Sequence, residues 1–376
     1  MTEKSPPLLL STSLMFTITT VITVIGVPWY GWVHGFAGND LAFMLFFIAA
    51  NGLGITAGYH RLWAHRSYEA SKPVQLGLLI FSTMAVQNSV ITWASGHRTH
   101  HRHVDDRDLD PYAATRGFWF SHIGWMLRNY PSGTPHLDNA RDLLNDPWLQ
   151  FQHRFYLPLA LLTNLGFPLA AGCITGHIVA SLLLSGFLRL VICHHVTFFI
   201  NSLAHRWGHQ PYTEQNTARD NAILAWLTWG EGYHNFHHLF QFDYRNGIKW
   251  WQWDPTKWLI LALSWVGLTR NLKRASEFAI QRAQLTLLFS RTERGLAQAG
   301  MSAALEPLKL RMAAEYETFM AALNEWTSIQ EERYRITKHE LQQHWEHTQI
   351  HQRLGELETR LREQYKRLLL LSARIA

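Results

Sequence analysis

Four stretches of the chain, at about residues 8–29, 41–59, 155–173 and 177–200, are almost free of charge. Each reaches the roughly 20 residues an α-helix needs to cross the roughly 30 Å hydrocarbon core of a bilayer. Only a helix or a closed barrel satisfies its own backbone there. These stretches constrain the fold more than any other feature and predict an all-α integral membrane protein with four transmembrane helices. The connection GWVHGFAGND joins the first pair and AAGCITG the last, and neither contains Lys or Arg, whereas residues 60–153 carry eight Arg and one Lys and those after 201 are rich in both. The positive-inside rule places the two short connections outside. Both termini and everything else then face the cytoplasm of a cell membrane. Trp29, Tyr30 and Trp32 supply an outer aromatic belt. No small-residue cleavage site follows the first apolar run, which is read as a retained helix. The net charge of +6 is then a property of cytoplasmic loops, and no nucleic-acid partner is expected.

Residues 74–95 are also uncharged and long enough to span, but Gln87, Asn88 and Ser89 interrupt the run. An interfacial or re-entrant helix is the expectation. FWFSHIGWML at 118–127 is expected to lie on the surface. The character changes after about residue 275. The expected domains are therefore a membrane unit, 1–275, and a cytosolic helical extension, 276–376. Met312, Tyr316, Phe319, Leu323 and Trp326 form one apolar seam of that extension, and Ile350, Leu354, Leu357, Leu361 and Leu368 form another, which predicts helical hairpins or a coiled coil and a possible oligomer through these helices.

Histidine is over-used, at 22 of 376 residues, while the two cysteines can build neither a thiolate metal site nor a disulfide framework. Three clusters stand out: HRLWAH (60–65), HRTHHRH (97–103) and HNFHH (234–238). On a helix, positions i, i+3 and i+4 share a face, so His97, His100 and His101 converge, as do His234, His237 and His238. His103 lies roughly 240° around from His97 and points elsewhere. His60 and His65 are five apart, which a straight helix would splay, so that helix is expected to end or bend there. Asn201 and His205 share a face just past the fourth span. The topology brings all of these to one side of the membrane. His60, His65, His97, His100, His101, His205, His234, His237 and His238 then supply more nitrogens than one metal uses. Two metals of four or five ligands each fit, and all-imidazole sites suit iron or zinc. Iron is favoured, because a closed zinc pair would be a structural staple that nothing here needs. Asp106, Asp110 and Glu231 are candidate carboxylates for orienting the histidines. HELQQH at 339–344 superficially suggests a metalloprotease helix, but its histidines are five apart rather than four.

Together with GITAGYHRLWAHRSYEA, GFWFSHIGWML, NSLAHRWGHQPY and GEGYHNFHH, these clusters resemble the membrane-bound fatty acid desaturases, in the stearoyl-CoA (delta-9 acyl-CoA) branch, over about residues 40–250. The resemblance implies four spans under a cytosolic cap that holds two Fe²⁺ ions on the nine histidines, with Asn201 holding an iron through water. It also implies an O₂-dependent reaction that introduces a cis double bond, at carbon nine of a saturated acyl-CoA. Electrons would come from a separate protein, ferredoxin-like or b-type-cytochrome-like. Gln87, Trp93 and Thr197 resemble the residues that bend the acyl tunnel, and Gly52 and Ile48 those that floor it. With glycine at 52, the tunnel is expected to admit chains of eighteen carbons or more.

Two departures bear on these expectations. Ser95 and Gly96 stand where the family often has an Arg-Asp pair that meets coenzyme A, which leaves phospholipid- or carrier-protein-bound chains as alternative substrates. His194 and His195 lie inside the fourth span, where the family has no histidine, and are expected to be a packed, neutral pair. A histidine-box lipid hydroxylase shares the same metal logic, and a membrane scaffold displaying the C-terminal helices is the non-enzymatic alternative.

Overall fold

The computed structural model of the chain describes residues 6–298, 306–339 and 344–373. Two compact units form: residues 1–210 with 215–274, and residues 275–376 with 211–214.

In the first unit, four helices are long and apolar enough to cross a membrane: Leu10–His34, Gly38–Ala64, Tyr156–Thr175 and Ile178–His205. The first shows lipid a nearly continuous apolar surface, with Leu14, Ile18, Val21, Val24 and Ile25 all exposed. Gly176, at φ 79°, ends the third span in the left-handed conformation that glycine adopts without steric cost. At 1.5 Å per residue the second and fourth spans measure about 40 Å, roughly 10 Å more than a hydrocarbon core. That excess is long enough to carry His60 and His205 past the hydrocarbon core.

The uncharged stretch at 74–95 is broken. A helix covers Lys72–Thr83 and a second covers Val90–His103. Twelve residues reach only about 18 Å, too short to span. The break falls at the polar residues seen in the sequence, and Val86 (φ 51°) and Asn88 (φ 71°) take left-handed backbone on either side of Gln87. Ile55, Tyr59, Leu62 and Trp63 of the second span pack with Leu78, Leu79, Ile91 and Ala94 of these two helices in one buried core. A two-residue antiparallel sheet, Glu69–Ala70 against Thr269–Arg270, ties the chain after the first histidine cluster to the end of this unit. The 118–127 element is less superficial than expected: Trp119 is exposed, but His122 is buried.

The second unit contains the helices Glu277–Gln298, Glu306–His339 and His344–Ser372. Both seams read from the sequence lie in a single core. Met312, Phe319, Leu323, Leu354, Leu357, Leu361 and Leu368 are buried there with Phe278 and Leu285. The apolar seams are therefore covered within the chain, and their burial requires no second copy. Within HELQQH, residues 340–343 lie outside the described residues.

Candidate metal centre

The nine histidines meet in two groups. His60, His65, His97, His101 and His237 form one; His100, His205, His234 and His238 form the other, with the ligand atoms of each group within 4.8 Å of one another. The H-x-x-H-H faces are shared between the groups rather than assigned whole. The i, i+4 pair His97 and His101 enters the first group while His100 enters the second. In the third cluster the i, i+4 pair His234 and His238 enters the second and His237 the first. Each short helix thus straddles both groups.

The five-residue spacing of HRLWAH has a different solution from the one expected. Rather than simply ending, the second span widens into a π-helix over Gly54–Ala64. The His65 N–H donates to the His60 carbonyl five residues back, at 3.0 Å. This winding stacks residues five apart, bringing the two imidazoles within 4.7 Å, centroid to centroid.

Nε2 atoms face one another throughout. The separations are 3.0 Å for His60–His237 and for His237–His101, and 2.8 Å for His65–His97. In the second group they are 3.3 Å for His100–His238, 3.0 Å for His238–His234 and 3.1 Å for His234–His205. Nitrogens bound cis to one ion at a bond length of about 2.1 Å stand about 3.0 Å apart. Every one of these pairs lies within a group, so the donor set fits two separate ions.

Outward-facing Nδ1 atoms fix the tautomers. His60 Nδ1 stands 2.9 Å from Glu231 and His100 Nδ1 is 2.9 Å from Asp110. His97 Nδ1 meets Tyr112 at 3.1 Å. His205 Nδ1 meets Thr217 Oγ1 at 2.8 Å, and that hydroxyl donates to Asp105 at 2.7 Å. A ring that donates outward from Nδ1 keeps its Nε2 lone pair free for a metal. Burial is the main cause that pushes the pKa values of His65, His97, His101, His234, His237 and His238 well below the ordinary imidazole value, with neighbouring histidines adding to it. The rings are thus neutral at physiological pH, as ligands must be.

Of the three candidate carboxylates, Glu231 and Asp110 orient ligands, whereas Asp106 accepts the N–H groups of Asp108 and Leu109 in its own turn. Burial raises the Glu231 pKa, but His60 and Arg61 outweigh it and bring it down to about 2. Arg61 is itself buried between Glu231 and Asp254. Sequence reasoning missed Asp105 and Thr217; the only local signal was the DDRD run, in which Asp105 takes left-handed backbone at φ 68°.

A cavity of about 600 Å³ runs along the metal groups. His60, His97, His234 and Asn201 line it, as do Gln87, Trp93 and Thr197. These last three are joined: Trp93 Nε1 donates to Gln87 Oε1 at 3.3 Å, and Gln87 Nε2 donates to Thr197 Oγ1 at 3.1 Å. Trp93 also stacks on His97, with centroids 4.8 Å apart. Ser95 is buried and donates to the His136 carbonyl, while Gly96 lines the cavity with open space where a Cβ would stand.

Gly52 and Ile48 are not among the lining residues. A Cβ on Gly52 would stand 2.0 Å from Nε1 of Trp229. The room left by glycine is filled by an indole from the loop before the third cluster. The expectation of open tunnel at Gly52 is corrected accordingly.

His194 and His195 join neither metal group. His194 donates to the Ala85 carbonyl at 2.7 Å, and His195 pairs with His122 at 3.0 Å.

Four helices able to span a membrane, two all-imidazole clusters that could each hold a metal ion and a cavity lined by residues of both define an integral membrane protein with a candidate two-metal centre. The family model for fatty acid desaturase matches residues 12–269, and the chain belongs to that family. It is 44% identical over 270 residues to "Acyl-CoA desaturase 1" of Saccharomyces cerevisiae, covering 70% of this chain and 53% of that one. It is 40% identical to "Probable acyl-CoA desaturase" of Schizosaccharomyces pombe, covering 75% and 58%. With human "Stearoyl-CoA desaturase 5" the identity is 38%, covering 64% and 73%. The chain spans little more than half the length of the two fungal relatives.

Proposed function

We propose that the chain is an O₂-dependent fatty acyl desaturase that uses iron at both histidine groups to place a cis double bond at carbon nine of a saturated acyl-CoA. The observation that carries this reading is the cavity lined by residues of both histidine groups and by Gln87, Trp93 and Thr197, where the acyl chain would bend. Iron bound there would supply an oxidant made from O₂ and two electrons, which unactivated C–H bonds require and side-chain acid–base chemistry cannot provide. In balance, a –CH₂–CH₂– pair, O₂, two electrons and two protons give –CH=CH– and two waters.

The chain's own residues position the substrate. The hydrogen-bonded Gln87–Thr197 pair closes the bend, and Trp93 ties it to His97, so the bend is held at a fixed place relative to the first group. A bent chain is already near the cis product. Asn201, which lines the cavity as His234 does, would complete the four-nitrogen group through a water. Acyl-CoA is the proposed carrier because the relatives are named for it. A separate carrier protein is the proposed source of the two electrons, and the metal groups, at the ends of the second and fourth spans, would face the cytoplasm.

Iron-loaded protein supplied with O₂ and a reductant should convert an eighteen-carbon saturated acyl-CoA to its cis carbon-nine monoene, and do so faster than it converts the same chain on a phospholipid. Gas chromatography of the released acids reads the outcome. A hydroxylated product, or preferred use of the phospholipid, would overturn the reading.

A further inference from the structure

Helix Lys72–Thr83 stops inside the protein, and its end leaves carbonyls without helical partners, as every helix end does. Side chains from two spans take up one of these, on Phe81, and three more in the turn that follows. Asn51 of the second span donates to the Phe81 carbonyl at 2.9 Å, and Tyr59 donates to that of Asn88 at 2.9 Å. From the fourth span, Arg189 Nη1 donates to the Met84 carbonyl at 2.9 Å and His194 Nε2 to that of Ala85 at 2.7 Å. Both side chains are buried, Arg189 completely. The other acceptors of Arg189 are the Ser185 carbonyl and Asn164 Oδ1, both neutral. A guanidinium held by uncharged oxygens inside a membrane helix is expensive, and such groups generally mark function.

The clamped carbonyls immediately precede the bend. Val86 and Asn88 hold left-handed backbone on either side of Gln87, a conformation disfavoured for a β-branched residue and kept only where the surroundings over-determine it. Thr197, the partner of Gln87, lies three residues from His194, on the same face of the fourth span. The fourth span therefore carries two of the three clamps on the turn, Tyr59 of the second span holding the Asn88 carbonyl, and also the hydroxyl that the turn presents Gln87 to.

We propose that Arg189 and His194 are positioning residues that set the angle of the acyl bend, and through it which carbon pair meets the metal groups. The proposal rests on the desaturase reading and deepens it. Without the clamps the turn can relax toward ordinary backbone and carry Gln87 off Thr197, so the chain is no longer held at one carbon.

His194 lines the cavity and could act on substrate directly; Arg189 does not line it, so its effect must travel through the turn. Arg189→Met and His194→Leu should spread the double bond over neighbouring carbons, whereas Arg189→Lys and His194→Gln, which keep an N–H donor, should restore a single isomer. Mass spectrometry of derivatised product acids reads this, with metal content confirming the folded site. A single unshifted isomer from the metal-bearing Met and Leu variants overturns the proposal, as does failure of Lys and Gln to restore it. A structure of the Arg189→Met protein supplies a readout independent of turnover: the Gln87–Thr197 hydrogen bond, 3.1 Å here, should open, and its survival also overturns the proposal. Wild-type protein that makes no unsaturated product would sink the desaturase reading instead and leave this structural test standing.

Discussion

Replacing Glu231 with glutamine should weaken one metal site and spare the other. All of the carboxylate's close partners are donors: His60 Nδ1 at 2.9 Å, Arg61 Nη2 at 2.9 Å and Nε at 3.2 Å, and Asn246 Nδ2 at 2.6 Å. Oε1 serves Arg61, and Oε2 serves His60 and Asn246. A glutamine has one acceptor oxygen, so either orientation turns its NH₂ toward donors. A buried donor left unsatisfied costs about 1–3 kcal/mol. Losing a ligand-orienting partner typically lowers metal affinity or activity about 10–100-fold, which is about 1.4–2.7 kcal/mol, so the two routes agree. Asp254 remains on Arg61 at 3.0 Å and keeps the guanidinium paired, which limits the damage to the fold. His60 belongs to the five-nitrogen group alone. Titration of the loaded Glu231→Gln protein with a competing chelator should therefore show one metal equivalent released about 10–100-fold more readily, with the other unchanged. Equal affinity at both sites would refute the role assigned to the carboxylate, and equal weakening of both would refute the division into two groups.

Four further expectations follow from the same geometry. His100→Ala should abolish turnover, whereas His103→Ala, in a separate pocket with Thr99 and Arg102, should leave most of it; equal losses would undo the facial argument. Because burial holds six of the ligating imidazoles well below their ordinary pKa, their contribution to stability is present above about 6.5 and is lost as pH falls from there toward the folded values, where the unfolded chain binds more protons. Metal should accordingly stay bound at about pH 6, and release with a midpoint near 6.5 in dialysis against graded buffers would contradict this. Gly52→Leu should lower the yield of folded protein by driving a side chain into Trp229, a cost of about 1–3 kcal/mol or more; a healthy variant with a shortened chain-length profile would restore the open floor. Cysteines introduced at Asn39 and Thr175 should react with an impermeant reagent from outside and one at Thr99 should not, and outside labelling at Thr99 would invert the topology.

Much of this site could be read in the sequence because its information is periodic. Helix periodicity placed His97, His100 and His101 on one face, and span length placed His60 and His205 at a common depth. What escaped depends on contacts between distant segments. Nothing local says that the i+3 histidine of each H-x-x-H-H serves a different metal from its neighbours, since that depends on how the two short helices face each other. The π winding at Gly54–Ala64 is signalled by the five-residue spacing, but the spacing alone says only that the helix ends or bends there. Trp229, 177 positions from Gly52 in the chain, removes the space that glycine alone suggests. Thr217 is invisible because a hydroxyl relaying a carboxylate to His205 follows no motif. The seams of residues 306–372 were located correctly, but periodicity could not say that they face each other and a third helix rather than a second chain.

The measurement that bears most directly on the central claim is the iron stoichiometry of the wild type beside His237→Ala and His234→Ala, each loaded anaerobically with ferrous iron and freed of loose metal. His237 belongs to the five-nitrogen group and His234 to the four-nitrogen group. The two groups predict close to two irons in the wild type and close to one in each variant, with a different iron lost each time. A wild type that binds a single iron, or two substitutions that remove the same one, would contradict the account.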